Sequence, residues 1–245
     1  NTYLLVAPAY TSPGSNILRK YTLTNSAYPG GQTLTGPTNI TGPITYQTPT
    51  DADQPGTTAK LDTLDGRFEN FSTQLGDSIW NAHCADLSGG TSFAWSWWYD
   101  IDTVANTVLN SGNMITSGDS DDFMPHITVN ANRDIFAVWT ATSPTGFNSQ
   151  MRISGKQAAD VGNNLGPGSL VIQSPTFYTG FRWGDYQCID VAAGPGWGDP
   201  DVAFAVGEYV TEIVVDEHRR RSSSLATQVE CLLPADGHPE VVNRL

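Results

Sequence analysis

Residues 126–139 read HITVNANRDIFAVW, and this stretch predicts the fold class. Two short apolar runs rich in Ile, Val and Thr flank a polar turn at residues 131–134, which is the pattern of a β-hairpin. The second run carries the aromatic residues Phe136 and Trp139. A lone hairpin cannot bury both of its faces, so this unit must pack against further strands.

The same unit recurs along the chain, while helical periodicity is nearly absent. The copies are IWNAHC at 79–84 with FAWSWW at 93–98, CIDVA at 188–192 with VAFAV at 202–206, and a looser pair, YLLVA at 3–7 with ILRKYTLT at 17–24. Repeated hairpins must stack or close radially, so we expect an all-β fold, a β-propeller of about four blades; a β-sandwich is the alternative. The predicted strands are 3–7, 17–24, 78–84, 92–102, 107–110, 126–130, 135–142, 150–154, 169–173, 187–192, 202–206 and 209–215.

Two segments differ from the rest of the chain. Residues 25–60 are rich in Gly, Pro and Thr, which indicates a long loop or an insertion between blades. Residues 215–245 hold 9 charged residues of 31 and the basic run at 219–221, which is typical of a solvated tail. We therefore assign the blades to residues 1–214 and a charged tail, or a closing strand at 229–233, to residues 215–245.

Composition excludes several functional classes. The chain of 245 residues has 12 basic and 25 acidic side chains, and its net charge is −13. A chain this acidic lacks the positive surface that binds nucleic acid or an anionic membrane. No apolar run reaches the roughly 18 residues that span a bilayer. We expect no nucleic-acid partner and no membrane insertion. Low Lys and abundant Thr, Asn and Gly favour an extracellular, secreted protein, and a first residue Asn1 without an apolar leader agrees with this.

Several motifs resemble one known group of proteins. They are QPG at 54–56, LDTLDGRF at 61–68, IWNAH at 79–83, MPHITVN at 124–130, RWGDY at 182–186 and GEY at 207–209. Over about residues 50–210 the chain resembles secreted bacterial β-propellers of the sialidase-like superfamily, which carry Asp-box repeats. The resemblance implies an exported propeller. The Asp-box pattern S-x-D-x-G-x-x-W is not clear in this sequence, and six blades are common in the group. The ring is therefore small, part of a longer chain, or completed by self-association.

The first candidate site is the RWGDY motif. Arg182 beside Trp183 offers a planar donor for a carboxylate next to an aromatic platform, and Arg67 adds a second cation. Asp185 and Glu208 are candidates for a general acid and base, and Tyr209 resembles the tyrosine nucleophile of sialidases. The alternative is a structural ion pair between Arg182 and Asp185, with Trp183 in the core.

The second candidate is the aromatic stretch WSWWYDID at 95–102. Because side chains alternate along a strand, Trp95 and Trp97 share one face and Trp98 lies on the other. We expect Trp95 and Trp97 to fill the gap between blades. Trp98 and Tyr99, if exposed, would stack on sugar rings.

The third candidate is a metal site in an acidic loop. Asp119, Asp121 and Asp122 offer the hard oxygen ligands that calcium prefers, although a solvated acidic turn is the alternative. With no CxxC pair and only four His, a zinc site is not expected and no cofactor is required.

These features predict an extracellular glycan-interacting propeller, with a glycan or cell-surface polysaccharide as its partner. If it is an enzyme, it is a glycoside hydrolase. Residues 1–214 have only 8 basic side chains against 20 acidic ones, which favours a neutral sugar over an acidic one. The alternative function is a non-catalytic adhesion, assembly or structural interaction module.

Overall fold

The computed structural model describes residues 1–25, 30–87, 93–183, 187–191 and 202–210, together with the backbone of four short strands further along the chain. All regular secondary structure in this part is β-strand, which confirms the all-β class. The strands are β1 (Thr2–Val6), β2 (Ser15–Thr24), β3 (Thr33–Gln47), β4 (Thr73–Leu75), β5 (Ser78–Leu87), β6 (Trp95–Asp102), β7 (Thr107–Met114), β8 (Asp121–Val129), β9 (Ile135–Thr142), β10 (Gln150–Lys156), β11 (Ser169–Gln173), β12 (Cys188–Val191), β13 (Val202–Val206), β14 (Val214–Val215), β15 (Ser222–Ser223), β16 (Cys231–Pro234) and β17 (Glu240–Val241).

The four predicted hairpins are all formed. β1 pairs with β2, β5 with β6, β8 with β9, and β12 with β13, each in antiparallel register. In the hairpin of β8 and β9, Val129 lies opposite Ile135 and Ile127 opposite Ala137. Short apolar runs separated by turn-forming residues were therefore sufficient to locate these hairpins.

The strands assemble into antiparallel sheets of mostly sequential order. One sheet runs β1-β2-β3-β5-β6-β7, with β4 also on β5; a second runs β11-β10-β9-β8; a third runs β12-β13-β16-β17; and β14 pairs with β15. β5 packs against β8, and β8 against β12. None of the described strands closes a sheet on itself.

The core consists of layers between these sheets. Strand β9 lies between two such layers, so both of its faces are buried. Ala137 and Trp139 face a cluster that includes Trp80 and Trp98 of the preceding sheet. Phe136 and Val138, at the alternate positions, face a second cluster with residues of β12 and β13. A strand between two sheets needs apolar residues at every position, which is the continuous run that the sequence shows.

A bulge interrupts β8 near its middle. The register with β9 shifts between Phe123 and His126, and Met124 has a φ of 52°. Pro125 lies inside this shift, where its missing N–H costs no ladder hydrogen bond. Its carbonyl accepts a hydrogen bond from Asn70 Nδ2 at 3.4 Å, so the bulge is also an attachment point for a loop.

Residues 25–60 are predicted to be a long loop or an insertion between blades, but residues 33–47 of this segment form the strand β3 instead of loop. This 15-residue strand pairs with β2 along most of its length and meets β5 at Tyr46 and Gln47. Its Gly and Pro residues hid it, since they suggest breaks; Pro37 and Pro43 lie where the β2–β3 register is irregular.

Two predictions at the C-terminal end have different outcomes. Residues 209 and 210, the start of the predicted strand 209–215, are not strand, whereas Val214–Val215 is; residues 211–213 lie outside the described part of the chain. β16 overlaps the closing strand predicted at 229–233 and pairs with β13.

Candidate functional site

The loop before β5 is built from two aspartate-anchored turns. Asp62 Oδ1 accepts a hydrogen bond from the backbone N–H of Leu64 at 2.9 Å. Asp65 Oδ1 accepts one from Arg67 Nε at 2.8 Å, and Asp65 Oδ2 lies 2.6 Å from Arg67 Nη2. Gly66, between them, has a φ of 81°, which suits glycine. The motif LDTLDGRF therefore fixes the position of its arginine locally.

His83 of β5 holds this loop against the sheet. Its Nδ1 lies 2.6 Å from the carbonyl oxygen of Gly66 and must donate, so Nε2 accepts from the Tyr99 hydroxyl at 3.0 Å. Burial lowers the pKa of His83 to about 4, since the charged ring would be desolvated. The ring is therefore a neutral, fully bonded support for the loop.

A pocket of about 520 Å³ lies at this loop. Four of its six lining residues carry ionisable side chains, and Leu64 and Phe68 add apolar surface. Its lining residues are Asp62, Leu64, Asp65, Arg67, Phe68 and Glu69.

Glu69 is the unusual group of this pocket. Both of its carboxyl oxygens are buried and have no hydrogen-bond partner. Its pKa is raised well above the ordinary value, first by desolvation and then by the charges of Asp65 and Asp62. An unpaired buried carboxylate is costly, so the site favours the neutral acid, which can donate a hydrogen bond or a proton.

The loop is joined to the segment that carries the RWGDY motif. The backbone N–H of Asp62 donates to the carbonyl of Phe181 at 3.0 Å, and Asn70 Nδ2 donates to the carbonyl of Gln187 at 3.0 Å. Gln54 also binds both backbone groups of Tyr178: its Oε1 accepts from the N–H at 2.8 Å and its Nε2 donates to the carbonyl at 3.0 Å. Residues distant in sequence are thereby held together at one place.

Trp183 lies under this junction. Only 4% of its surface is exposed, and it packs with Leu61, Cys84 and Val210 in one apolar cluster. The Tyr178 ring meets it edge-on, with centroids 5.6 Å apart. The alternative interpretation of Trp183, as a core residue, is therefore correct, and it does not form an exposed platform.

The structure brings several sequence-predicted segments together but not every side chain. Arg67 lines the pocket, and Arg182 is exposed on the adjoining segment. Glu208 is half-buried, beside Val210 of the Trp183 cluster. Tyr209 packs instead against the cluster of β9, β10 and β12, which does not support a role as nucleophile. Asp185 lies outside the described residues.

Trp98 and Tyr99 are not exposed, so the prediction of a sugar-stacking face on β6 is wrong. Trp98 is 1% exposed and donates from Nε1 to the carbonyl of Asn163 at 2.8 Å; Tyr99 is fully buried. Trp95 and Trp97 are the half-buried pair. Alternation tells which side chains share a face, but both faces of this strand are covered by other elements.

Asp119, Asp121 and Asp122 each accept hydrogen bonds from the protein. Asp121 accepts from the backbone N–H groups of Ala94 at 2.8 Å and Asp53 at 2.9 Å, and Asp122 accepts from Trp139 Nε1 at 2.9 Å. Desolvation raises the pKa of Asp121 and of Asp122 to about 6. The pKa of exposed Asp119 is lowered, because Ser117 and Ser143 donate to it.

Within the described part of the chain, no three or more His, Cys, Asp or Glu side chains are grouped to hold a metal ion. Calcium binding remains a prediction.

Three residues of the site escaped sequence reasoning. Glu69 belongs to no motif, and its burial depends on the whole loop. Phe71 and Phe181 are 60% and 55% exposed, next to the pocket loop and on the joined segment. The Phe71 ring also meets the His126 ring edge-on at 4.8 Å. Exposed aromatic residues near a pocket give no periodic signal, so only the structure identifies them.

No protein-family model, no curated protein and no solved structure matches this chain. Among the described residues, no helix has the length and apolar character needed to cross a membrane.

Proposed function

We propose that this chain is an extracellular β-propeller that binds neutral glycans at the junction of the pocket loop and the Phe181 segment. One observation carries this proposal. A pocket lined by the carboxyl groups of Asp62 and Asp65, with the Glu69 carboxyl buried in its wall, lies beside exposed Phe181, whose carbonyl is bonded to the loop through Asp62. Carboxyl groups bind sugar hydroxyls, and an exposed ring stacks on the apolar face of a sugar.

The cations of the strand-rich region favour a neutral ligand over an acidic one. Arg67 is held by Asp65. Arg133 lies over the Trp80 ring at 5.3 Å and donates to Ser78 Oγ, and Arg152 donates to Gln150 and to two backbone carbonyls. Arg67, Arg133 and Arg152 therefore all make contacts within the protein.

The sheet order supports the propeller part of the proposal. β8 to β11 form one meander in sequential order, as a blade does. β8 and β12 lie at the ends of their sheets, and β8 packs against both β5 and β12, as the innermost strands of neighbouring blades do. Self-association would complete a ring that this chain leaves open.

Glycoside hydrolysis is the second candidate function, and Glu69 is the observation that favours it. A neutral carboxyl can pass its proton to the glycosidic oxygen, which leaves as a hydroxyl. A second carboxylate, for which Glu208 and Asp185 are the predicted residues, takes a proton from the water that attacks the sugar carbon. The Glu69 oxygens are closed from solvent, so this reaction requires the loop to open.

A glycan array combined with a panel of fluorogenic glycosides tests both functions. We expect neutral glycans to bind, and Phe181→Ala to abolish binding while Leu170→Ala, an exposed apolar control on β11, leaves it intact. Turnover that is lost in Glu69→Gln or Glu208→Gln would establish the hydrolase. Binding without turnover would leave a lectin-like protein. Silence in both assays would contradict the proposal and favour the non-catalytic adhesion or assembly module.

A further inference from the structure

A second cavity of about 530 Å³ lies between β3 and β7, away from the pocket of Glu69. Its lining contains no charged residue, although the chain has a net charge of −13. The polar side chains that line it are amides and hydroxyls, among them Asn39, Thr41, Asn106, Asn110, Ser111 and Asn163.

Two strand edges form the walls of this groove. β7 is the last strand of its sheet and pairs only with β6. β3 pairs with β2 on one side and reaches β5 only at Tyr46 and Gln47, beyond the groove. The Asn113 carbonyl of β7 accepts a hydrogen bond from the Leu165 N–H at 2.8 Å. Elsewhere the outer edges of both strands have no sheet partner within the described residues, and such edges present backbone donors and acceptors.

The far wall of the groove is held rigidly. Trp98 Nε1 donates to the carbonyl of Asn163 at 2.8 Å, and Asn110 Nδ2 donates to Asp100 at 3.3 Å. A Cβ at Gly112 would lie 1.9 Å from the Asn163 carbonyl oxygen, so β7 and the segment at 163 are in close contact. A preformed wall lowers the entropy that a ligand must lose on binding.

One polar atom of the lining has no partner. Asn106 Oδ1 is buried and unbonded, while its Nδ2 donates to the carbonyl of Val104 at 3.1 Å. A buried acceptor without a donor costs free energy, and a ligand hydroxyl recovers it once the Asn106 side chain turns this oxygen toward the groove.

We infer that this groove is a second binding site, for an uncharged polyhydroxyl ligand such as a neutral oligosaccharide. Amide and hydroxyl side chains, free strand edges and the exposed apolar side chain of Leu109 match the alternating hydroxyls and apolar faces of a sugar. The lack of charge disfavours an ionic ligand. The inference does not depend on the Glu69 pocket.

Addition of an extended peptide strand is the competing use of a groove between strand edges. Two features oppose it. Pro43, which lines the groove, supplies no N–H, and the β2–β3 register is irregular at this place.

The test is a nuclear magnetic resonance titration of the labelled chain with three neutral hexasaccharides, namely a β-1,4-glucan, a β-1,4-xylan and an α-1,4-glucan. We expect at least one to shift the amide signals of residues 106–111. Thr41→Ala and Asn163→Ala should each weaken this binding by about tenfold, the loss of one or two hydrogen bonds. Thr33→Ala, an exposed control on the same strand, should not, and Phe181→Ala should leave it unchanged.

Four results would overturn the inference: no shift at 106–111 with any of the three sugars, equal affinities for Thr41→Ala and Thr33→Ala, shifts confined to residues 62–71, or shifts at 106–111 caused only by an extended octapeptide of alternating Thr and Val. Dispersed amide signals in every variant show that each one folds. If Phe181→Ala loses sugar binding at the Glu69 pocket and keeps the shifts at residues 106–111, the two sites are separate.

Discussion

Asp65 and Arg67 form a two-point ion pair, with Asp65 Oδ1 2.8 Å from Arg67 Nε and Asp65 Oδ2 2.6 Å from Nη2. The pair lies in the wall of the Glu69 pocket, and a guanidinium held in this way is largely neutralised toward ligands. We therefore expect this site to prefer uncharged sugars, although an arginine lines it.

Asp65→Asn should change the ligand preference. The guanidinium of Arg67 would lose its ionic partner, so we expect binding of carboxylated glycans to rise by about tenfold, and binding of neutral ones to change less. The measurement is a titration with matched neutral and acidic glycans. Asp160→Asn removes the same charge from an exposed turn elsewhere; an equal gain in that variant would attribute the effect to net charge alone.

Glu69→Gln should raise stability at neutral pH. A carboxyl whose pKa is higher in the folded protein binds its proton more tightly there, so the folded state loses stability as the pH rises from its unfolded pKa through its folded one. The pKa of Glu69 is raised well above its ordinary value. We expect the urea midpoints of wild type and Glu69→Gln to coincide at pH 4 and the variant to be the more stable at pH 7.

The contributions of other buried groups to the pH dependence of stability should largely cancel between pH 4 and 6. The pKa values of Asp121 and Asp122 are raised to about 6, so these two residues make the folded protein less stable as the pH rises. The pKa values of His83 and His126 are lowered to about 4, so these two residues make the folded protein less stable as the pH falls below about 6.5. A Glu208→Gln control that followed the Glu69→Gln curve would show that Glu69 is not the source of the slope.

Gln54→Ala should weaken the junction of the site. The substitution removes the amide that binds both backbone groups of Tyr178, and it leaves buried groups unbonded. We expect a loss of about 2–4 kcal/mol in urea unfolding and faster amide exchange at Tyr178. Gln74→Ala is the control, because exposed Gln74 also bonds to backbone groups but in contact with water. Equal losses in the two variants would argue against a special role for Gln54.

Trp139→Phe should destabilise the chain in a pH-dependent way. Trp139 Nε1 donates to Asp122 Oδ1 at 2.9 Å, and the pKa of that carboxyl is about 6. The ionised carboxylate needs the donor most, so we expect a loss of about 1–3 kcal/mol at pH 7 and a smaller one at pH 5. Trp97→Phe is the control, since its Nε1 is buried without a partner; a similar pH-dependent loss there would contradict the assignment.

The sequence was sufficient for the hairpins because strand burial leaves a local pattern. Residues 135–142 and 202–206 are predicted with the bounds that the structure has. β3 was missed because its Gly and Pro residues lie at register irregularities, which a single strand cannot reveal.

The site was only partly predictable, because its parts depend on how sheets pack. The loop that carries Arg67 is hydrogen-bonded to Phe181, the residue before Arg182 of the RWGDY motif. The exposure of Trp98 was predicted wrongly, because its face is covered by a second sheet. The raised pKa of Glu69 depends on burial and on two nearby aspartates, and no local pattern encodes that arrangement.

The most direct test of the central claim is a titration of wild type and Phe181→Ala with a neutral, galactose-terminated glycan and with the same glycan carrying a terminal sialic acid. We predict that the neutral glycan binds the wild type more tightly and loses about tenfold or more in affinity with Phe181→Ala. Preference of the wild type for the sialylated glycan, or neutral-glycan binding that Phe181→Ala leaves unchanged, would contradict the assignment of a neutral-glycan site to this pocket.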